Sequence, residues 1–203
     1  MRSISRFEIS GGVASGKSTL AAVLSTCGAF SVFEEFVKNP FFELFYSDPN
    51  RYAFEAEITY MLQHYSSISD AMIVGGRPIV VADFSMALDL AYARVTLQPK
   101  DLEVFETVFD HALSKIGRPD LLVKLDCSPE VEWERIRERA RPAERAITLD
   151  YLSKLNESVE RVLIDPRFEG LKVLRIDSNM LDFRPEGKDR DAVVSQVFAA
   201  INP

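Results

Sequence analysis

Two periods of apolar and polar positions take turns along this chain. Arg6-Phe7-Glu8-Ile9-Ser10 alternates residue by residue, as a strand does, and Leu20-Ala21-Ala22-Val23-Leu24 reads as a helix that stops near Gly28. Phe30-Ser31-Val32-Phe33 reads as a second strand, and Lys38 to Pro49 as an aromatic-rich segment broken by prolines. From Arg51 to about Met72, residues Phe54, Ile58, Met61, Tyr65, Ile68 and Met72 recur at steps of three and four. That is the stripe of an amphipathic helix, which Gly75-Gly76 stops. Pro78-Ile79-Val80-Val81-Ala82-Asp83 is almost continuously apolar, the mark of a strand buried in a parallel sheet. Helical patterns fill most of Leu88 to Ile116, Leu121 to Asp126 is a strand, and Glu130 to Arg141 is a densely charged helix. A helix from Asp150 to Leu163, a strand from Lys172 to Asp177 and a helix from Asp191 to Ile201 follow. Strands alternating with helices predict an α/β fold on a parallel sheet with right-handed crossovers, in a single domain over residues 1–203.

Composition narrows the partners. A chain of 203 residues, 47% of them apolar, can bury one full core. It has no apolar run of membrane-spanning length, and its net charge of -7 argues against a nucleic-acid backbone as partner. A free nucleotide can still be held by a local group of arginines. The first strand starts within six residues of Met1, which leaves no room for a signal or transit peptide and suggests a cytoplasmic protein. Cys27 and Cys127 lack C-x-x-C or metal-ligand spacing and are expected to be buried, reduced thiols.

The chemistry starts between the first strand and the first helix. Gly11-Gly12-Val13-Ala14-Ser15-Gly16-Lys17-Ser18, followed by Thr19, fits the phosphate-binding loop G-x-x-x-x-G-K-[ST], residues 11–18. Its glycines let successive backbone N–H groups turn inward as a nest for phosphate oxygens. Lys17 can reach the β- and γ-phosphates, the Ser18 hydroxyl can join Mg²⁺, and the helix opening at Lys17 adds its positive end. Strand, glycine loop, helix is the context this chemistry needs, so the chain is expected to bind a nucleoside triphosphate. The second strand delivers Glu34-Glu35 to its C-terminal end, where open α/β sheets place ligands.

Over nearly its whole length the chain resembles the deoxynucleoside kinases. The resemblance is carried by Glu34-Glu35-Phe36-Val37, Asn39-Pro40-Phe41, Phe45-Tyr46-Ser47-Asp48 and Arg51-Tyr52-Ala53-Phe54, within an acceptor segment over residues 34–65. It continues through Pro119-Asp120-Leu121, the lid Arg135-Ile136-Arg137-Glu138-Arg139-Ala140-Arg141-Pro142-Ala143-Glu144 over residues 135–144, and Asp150-Tyr151-Leu152-Ser153-Lys154-Leu155. The resemblance implies a P-loop NTPase-type three-layer fold with a five-stranded parallel sheet flanked by helices. It also implies a helical-bundle homodimer and transfer of the ATP γ-phosphate to a nucleoside 5′-hydroxyl. The implied catalytic base is Glu35, with Phe36 where the family has proline. Asp83 would hold Mg²⁺ beside Ser18, in a motif that reads Asp83-Phe84-Ser85 where the family has D/E-R-S. The missing arginine normally contacts phosphate and steadies the base, which Phe84 cannot do. Arg135 and Arg139 would close over the triphosphate and neutralise charge in transfer, with Arg141 beside them. Asp182-Phe183 corresponds to the adenine-contacting loop.

On the acceptor side, Phe45 and Tyr46 line the pocket, and Tyr46 with Glu144 matches the pair that holds the sugar 3′-hydroxyl. Glu57 and His64 stand where the family has glutamine and arginine, and Asp89 matches the family's carboxylate. Seven helical residues separate Glu57 from His64 by about 10 Å along one face, so both can line one pocket, and either can equally be a rim residue. An ionised glutamate only accepts hydrogen bonds, which suits guanine N1–H and N2–H₂ and disfavours thymine. Purine preference follows as the expectation. Two other functions fit the same residues. One is a kinase of a nucleoside monophosphate or another small alcohol, for which Lys38, Arg51 and Arg77 are candidate cations. The other is a nucleotide-binding regulatory protein without catalysis.

Overall fold

The computed structural model describes residues 5–35, 38–73 and 79–201. The family position at Phe36, the glycine stop at Gly75-Gly76 and the candidate cation Arg77 lie outside them. The elements in chain order are β1 (Ser5–Ser10), α1 (Lys17–Thr26), β2 (Phe30–Val32), α2 (Phe42–Ser47), α3 (Pro49–Ile73), β3 (Ile79–Ala82), α4 (Met86–Thr96) and α5 (Pro99–Ile116). They continue with β4 (Leu121–Asp126), α6 (Pro129–Arg139), α7 (Leu149–Leu163), β5 (Val173–Asp177) and α8 (Arg190–Ala199). The strands form a five-stranded sheet in the order β2-β3-β1-β4-β5, and every neighbouring pair is parallel. The expected architecture is therefore the observed one.

Parallel pairing buries the central strands on both faces: β4 is mostly an apolar run, and in the alternating β1 even the polar Arg6, Glu8 and Ser10 are buried. One face of the sheet is covered by a core that joins Phe84, Met86, Leu90, Phe105, Phe109, Leu152 and Phe168 of the larger helical layer. Leu20, Leu24, Val193 and Val197 of α1 and α8 cover the other face. The order puts β1 in the middle, with β3 on one side and β4 on the other. The loops leaving β1, β2 and β3 thus meet at one edge, where a crevice opens at the C-terminal ends of the strands.

Side-chain caps fix where the site helices begin. Ser85 accepts the Leu88 N–H at the start of α4, Ser128 that of Val131 at α6, and Thr148 that of Tyr151 at α7. Each cap is worth about 1 kcal/mol.

Four details differ from the sequence patterns. The segment between Pro40 and Pro49 contains the short helix α2, because its prolines flank that helix and Pro49 opens α3. The pattern over Leu88–Ile116 splits into α4 and α5 where Leu97 and Gln98 are extended and Pro99 restarts the helix. The charged helix ends at Arg139, since Ala140 turns left-handed (φ 51°) and Pro142 follows. Cys127 is buried as expected, but Cys27, at the C-cap of α1, is an exposed free thiol.

Candidate active site

The crevice holds one cavity of about 330 Å³ running from the phosphate loop to the helices of the acceptor side. At one end lie Val13, Ala14, Gly16, Lys17, Ser18 and Thr19. The loop is built as the glycine pattern requires: Gly16 has φ 102°, a left-handed conformation costly for any residue with a β-carbon, and Phe183 packs against its α-carbon. The Lys17 ammonium donates to the Gly11 and Gly12 carbonyls at 3.1 and 2.8 Å, folded back over its own loop. Burial pulls its pKa down, while Glu34, Glu132 and Asp83 work against that loss of charge. Gly11, Gly12 and Ser15 form the wall of the loop behind the cavity and do not line it.

Asp83 follows β3 directly and is buried. It bonds the Ser18 hydroxyl, and its Oδ1 accepts the Glu34 N–H at 2.6 Å. Burial raises its pKa, and both of those hydrogen bonds oppose the rise. The two residues expected to share a metal are thus in contact. The expectation for the neighbouring carboxylates needs correction. Glu34 lines the cavity, whereas Glu35 is 59% exposed and pairs with Lys38 at 2.9 Å. The alternation of a strand carries on past β2, with Phe33 and Glu35 exposed and Glu34 between them facing the cavity. Glu35 therefore faces away from the cavity, and Glu34 faces into it.

At the far end of the cavity, α3 presents Glu57 and His64, both buried. The rim alternative is thus excluded. His64 Nδ1 lies 2.9 and 3.1 Å from the two Asp89 oxygens, and Nε2 lies 3.4 Å from Glu34 Oε1. Its ring stacks on Phe84 with centroids 3.9 Å apart and planes 8° from parallel. Burial pulls the His64 pKa down, but Asp89 and Glu34 outweigh it and raise it to about 10. Glu57 has no cation at ion-pair distance among the described residues, only the more distant His64 charge. Its Oε1 accepts the Thr96 hydroxyl at 3.0 Å, and burial, with the charges of Asp89 and Glu34, pushes its pKa up to about 8. At neutral pH Glu57 is therefore mostly a neutral acid that donates as well as accepts. The expectation of an accept-only carboxylate is overturned by burial.

The segment expected as the lid borders the cavity from the side of α6. Arg135 donates to the Ala14 carbonyl at 3.4 Å and to the Ser178 hydroxyl and carbonyl at 3.0 and 2.6 Å, bracing the phosphate loop against the end of β5. Arg139 Nε donates to buried Glu144 at 2.7 Å, its Nη2 bonds the other Glu144 oxygen, and Arg141 lies 3.4 Å from the same group. All three arginines line the cavity. Phe45 and Tyr46 meet edge to face at 5.2 Å across its wall, and burial followed by the Glu144 charge pushes the Tyr46 phenol up. Asp182 and Phe183 do not line the cavity. Phe183 is packed on Gly16, and Asp182 is held low, to about 2, by its bond to Arg184. Its backbone N–H and carbonyl are both engaged by Asp189. The candidate cations Lys38 and Arg51 face outward to Glu35 and Glu55 and do not reach the cavity.

Two acids at the site, partly buried Glu34 and fully buried Glu132, were not singled out as site residues by the sequence. Glu34 was signalled by the alternation of β2. Glu132 was not signalled at all, because it sits among exposed acids on a helix that reads as charged throughout. It is wholly buried against Gly12, and burial raises its pKa to about 8.

Among the described residues no helix is long and apolar enough to cross a membrane, and no group of three or more His, Cys, Asp or Glu side chains is arranged to hold a metal. Comparison with known proteins places the chain. It is 28% identical to a deoxyguanosine kinase of Bacillus subtilis over 198 residues, covering 93% of this chain and 94% of that protein. It is 32% identical to a deoxyadenosine kinase of Dictyostelium discoideum over 163 residues, 77% of this chain and 66% of that protein. Its fold superposes on a deoxyadenosine kinase from M. mycoides with bound dCTP at a TM-score of 0.79 and 20% identity, over 97% of this chain and 98% of that one. The family described as deoxynucleoside kinase matches residues 7–202. With that match added to the sheet order and the phosphate loop, the chain belongs to the deoxynucleoside kinase family and is a nucleoside kinase.

Proposed function

We propose that this enzyme transfers the γ-phosphate of ATP to the 5′-hydroxyl of a deoxynucleoside, with Glu34 as the base and a purine preferred. The observation that carries this is the single cavity that joins Lys17 and Ser18 to Glu34 at its middle and Glu57 at its end. Phosphoryl transfer is chiefly positioning and charge neutralisation, and each part has a residue for it. The loop N–H groups and Lys17 take the phosphates, and Lys17 can leave two backbone carbonyls to do so. Glu34 accepts the hydroxyl proton. Arg139 and Arg141, already over the cavity, face the charge that develops in transfer.

Ser18 and Asp83, in contact and at the phosphate end, would hold Mg²⁺. Magnesium keeps water and phosphate oxygens in most of its positions, so two protein oxygens suffice. When bound it would neutralise phosphate charge. Tyr46 and Glu144 are assigned to the sugar 3′-hydroxyl, with Glu144 shared by Arg139.

Purine preference draws on the names of the two relatives and on Glu57. The neutral acid pairs with an edge offering one donor and one acceptor, as adenine N6–H and N1 do. Once ionised it pairs with guanine N1–H and N2–H₂. The neutral acid does not by itself reject thymine. The outward-facing Lys38 and Arg51 leave a monophosphate acceptor without those cations. A homodimer and a cytoplasmic location are the accompanying expectations.

The test is an end-point assay with Mg-ATP and a panel of nucleosides, nucleoside monophosphates and simple alcohols, read by mass. A new nucleoside 5′-monophosphate is expected, and Glu34→Gln should lower its rate by about 10²–10⁴-fold while ATP still binds. Glu35→Gln should stay within a factor of two or so of the native rate. Loss in Glu35→Gln with retention in Glu34→Gln would reverse the assignment. Product from monophosphates or alcohols alone would change the substrate class.

A further inference from the structure

Phe84 brings no charge to the middle of the cavity, yet a cation does reach Glu34 there, from another element. His64, on α3, stands between two carboxylates from separate parts of the chain. Asp89, on α4, holds Nδ1 at 2.9 and 3.1 Å, and Nε2 on the opposite edge lies 3.4 Å from Glu34 Oε1. The ring's plane is set by Phe84, stacked on it at 3.9 Å and only 8° from parallel. Asp89 is set in turn by the first turn of α4, where its N–H donates to the Ser85 carbonyl at 3.1 Å. Asp89 takes Nδ1 and Phe84 covers one face of the ring, while Nε2 is buried, makes no hydrogen bond within the protein and faces Glu34 at ion-pair distance.

We propose that His64 is a positioning residue for phosphoryl transfer: seated on Asp89 and Phe84, it holds the Glu34 carboxylate turned into the cavity to meet the acceptor hydroxyl. This rests on Glu34 being the base. Glu34 follows the end of β2 and is tied at its backbone to Asp83. Its side chain is only partly buried, and His64 is the charged side chain found within ion-pair distance of it among the described residues. A carboxylate free to rotate spends less time in the reactive geometry, and misplacement of about 1 Å can cost about 10²-fold in rate. The same contact keeps the imidazole charged, since two carboxylates face it.

The first experiment compares native enzyme with His64→Phe, which keeps a ring on Phe84 and removes both polar edges, and with His64→Gly. We expect kcat to fall by about 10²-fold in both, with KM for ATP within about threefold of native, because the loss affects transfer and not donor binding. Imidazole added to His64→Gly should restore at least a tenfold part of the loss, and pyrrole, of the same shape but without the charge, should not. Equal rescue by pyrrole, or kcat near native in folded His64→Phe, overturns the proposal. Should His64→Phe fail to fold because Asp89 is left buried and unpaired, His64→Phe/Asp89→Asn removes that charge and carries the same expectation.

A readout independent of turnover separates this from the assignment of the reaction. In the nucleotide-free protein, Glu34→Gln should move the ¹⁵N resonance of His64 Nε2 far more than that of Nδ1. An unmoved Nε2 overturns the positioning role whatever the enzyme phosphorylates. Absence of transfer in native enzyme, with Nε2 shifted, instead overturns the kinase assignment and retains the contact.

Discussion

The carboxyl group of Glu132, on the lid helix, lies so close to the α-carbon of Gly12 that a β-carbon at position 12 would overlap it. The lid helix α6 and the phosphate loop are therefore packed as one unit, with no side chain between them. Asn156 holds Glu132 from behind, donating Nδ2 to Oε2 at 3.3 Å. Gly12→Ala forces one of the two to move. Overpacking of this kind costs about 1–3 kcal/mol, so ATP binding should weaken about tenfold or more if the loop yields. Glu132→Ala makes room, and the double variant should recover much of the loss. Calorimetric titration of the four proteins with ATP forms the cycle, and purely additive effects would mean that the contact does not constrain the loop.

Glu132 also predicts a pH dependence of stability. Its folded pKa is raised by burial to about 8, above its value in an unfolded chain. A raised carboxyl pKa means that the folded state holds the proton longer. The associated stability is full below the unfolded carboxyl pKa, falls as pH rises, and is gone above about 8. Glu132→Gln, which keeps a neutral group there, should melt close to native at pH 5 and higher than native at pH 8.5. A gain of about 1–2 kcal/mol corresponds to about 2–8 °C in a chain of this size. Thermal melts at the two pH values measure it, and an identical difference at both would show that Glu132 does not titrate in this window.

Base choice should respond to pH through Glu57. Burial, and then the charges of Asp89 from α4 and Glu34 from beyond β2, keep its proton on, while the Thr96 hydroxyl and the His64 charge oppose them. Tyr46, Tyr60, Tyr92 and Tyr151 complete the wall and stay protonated, their pKa values all raised chiefly by burial. Below about 8 the group is a neutral acid suited to adenine, and above it a carboxylate suited to guanine. The ratio of kcat/KM for deoxyguanosine over deoxyadenosine should rise by about tenfold between pH 6.5 and 9. Using a ratio cancels the titration of Glu132. Glu57→Gln should flatten the profile, and a slope that survives in that variant would assign it to another group.

Arg139 carries the lid prediction. Its guanidinium forks onto buried Glu144 through Nε and Nη2, and the ion pair is partly shielded from water. Arg139→Ala should lower kcat by about 10²-fold. Arg139→Lys should recover only part of that, because one ammonium cannot make two parallel bonds to a carboxylate. Steady-state rates settle this, and unchanged turnover in Arg139→Ala would remove the lid role.

Some of this molecule is a property of contiguous residues. The phosphate loop, Gly11 to Ser18, depends on backbone shape within a single turn, and its glycines state that shape without help from the rest of the chain. The alternation of strands and helices is equally local, and it was enough to predict the parallel sheet that the five strands form. Pairwise choices between distant residues were not legible in the same way. Glu34 and Glu35 are the same amino acid in adjacent positions, and only the direction of the backbone after β2 decides which one enters the cavity. Glu57 is a glutamate in the sequence and mostly a neutral acid in the fold, because packing buries it and sets the Asp89 and Glu34 carboxylates near it. His64 and Asp89 are 25 residues apart, and their contact exists only when α3 and α4 pack. Periodicity records which face of an element is apolar. Protonation state, ion pairing and the aim of a carboxylate are set by the groups packed around it, and those are assembled only by tertiary structure.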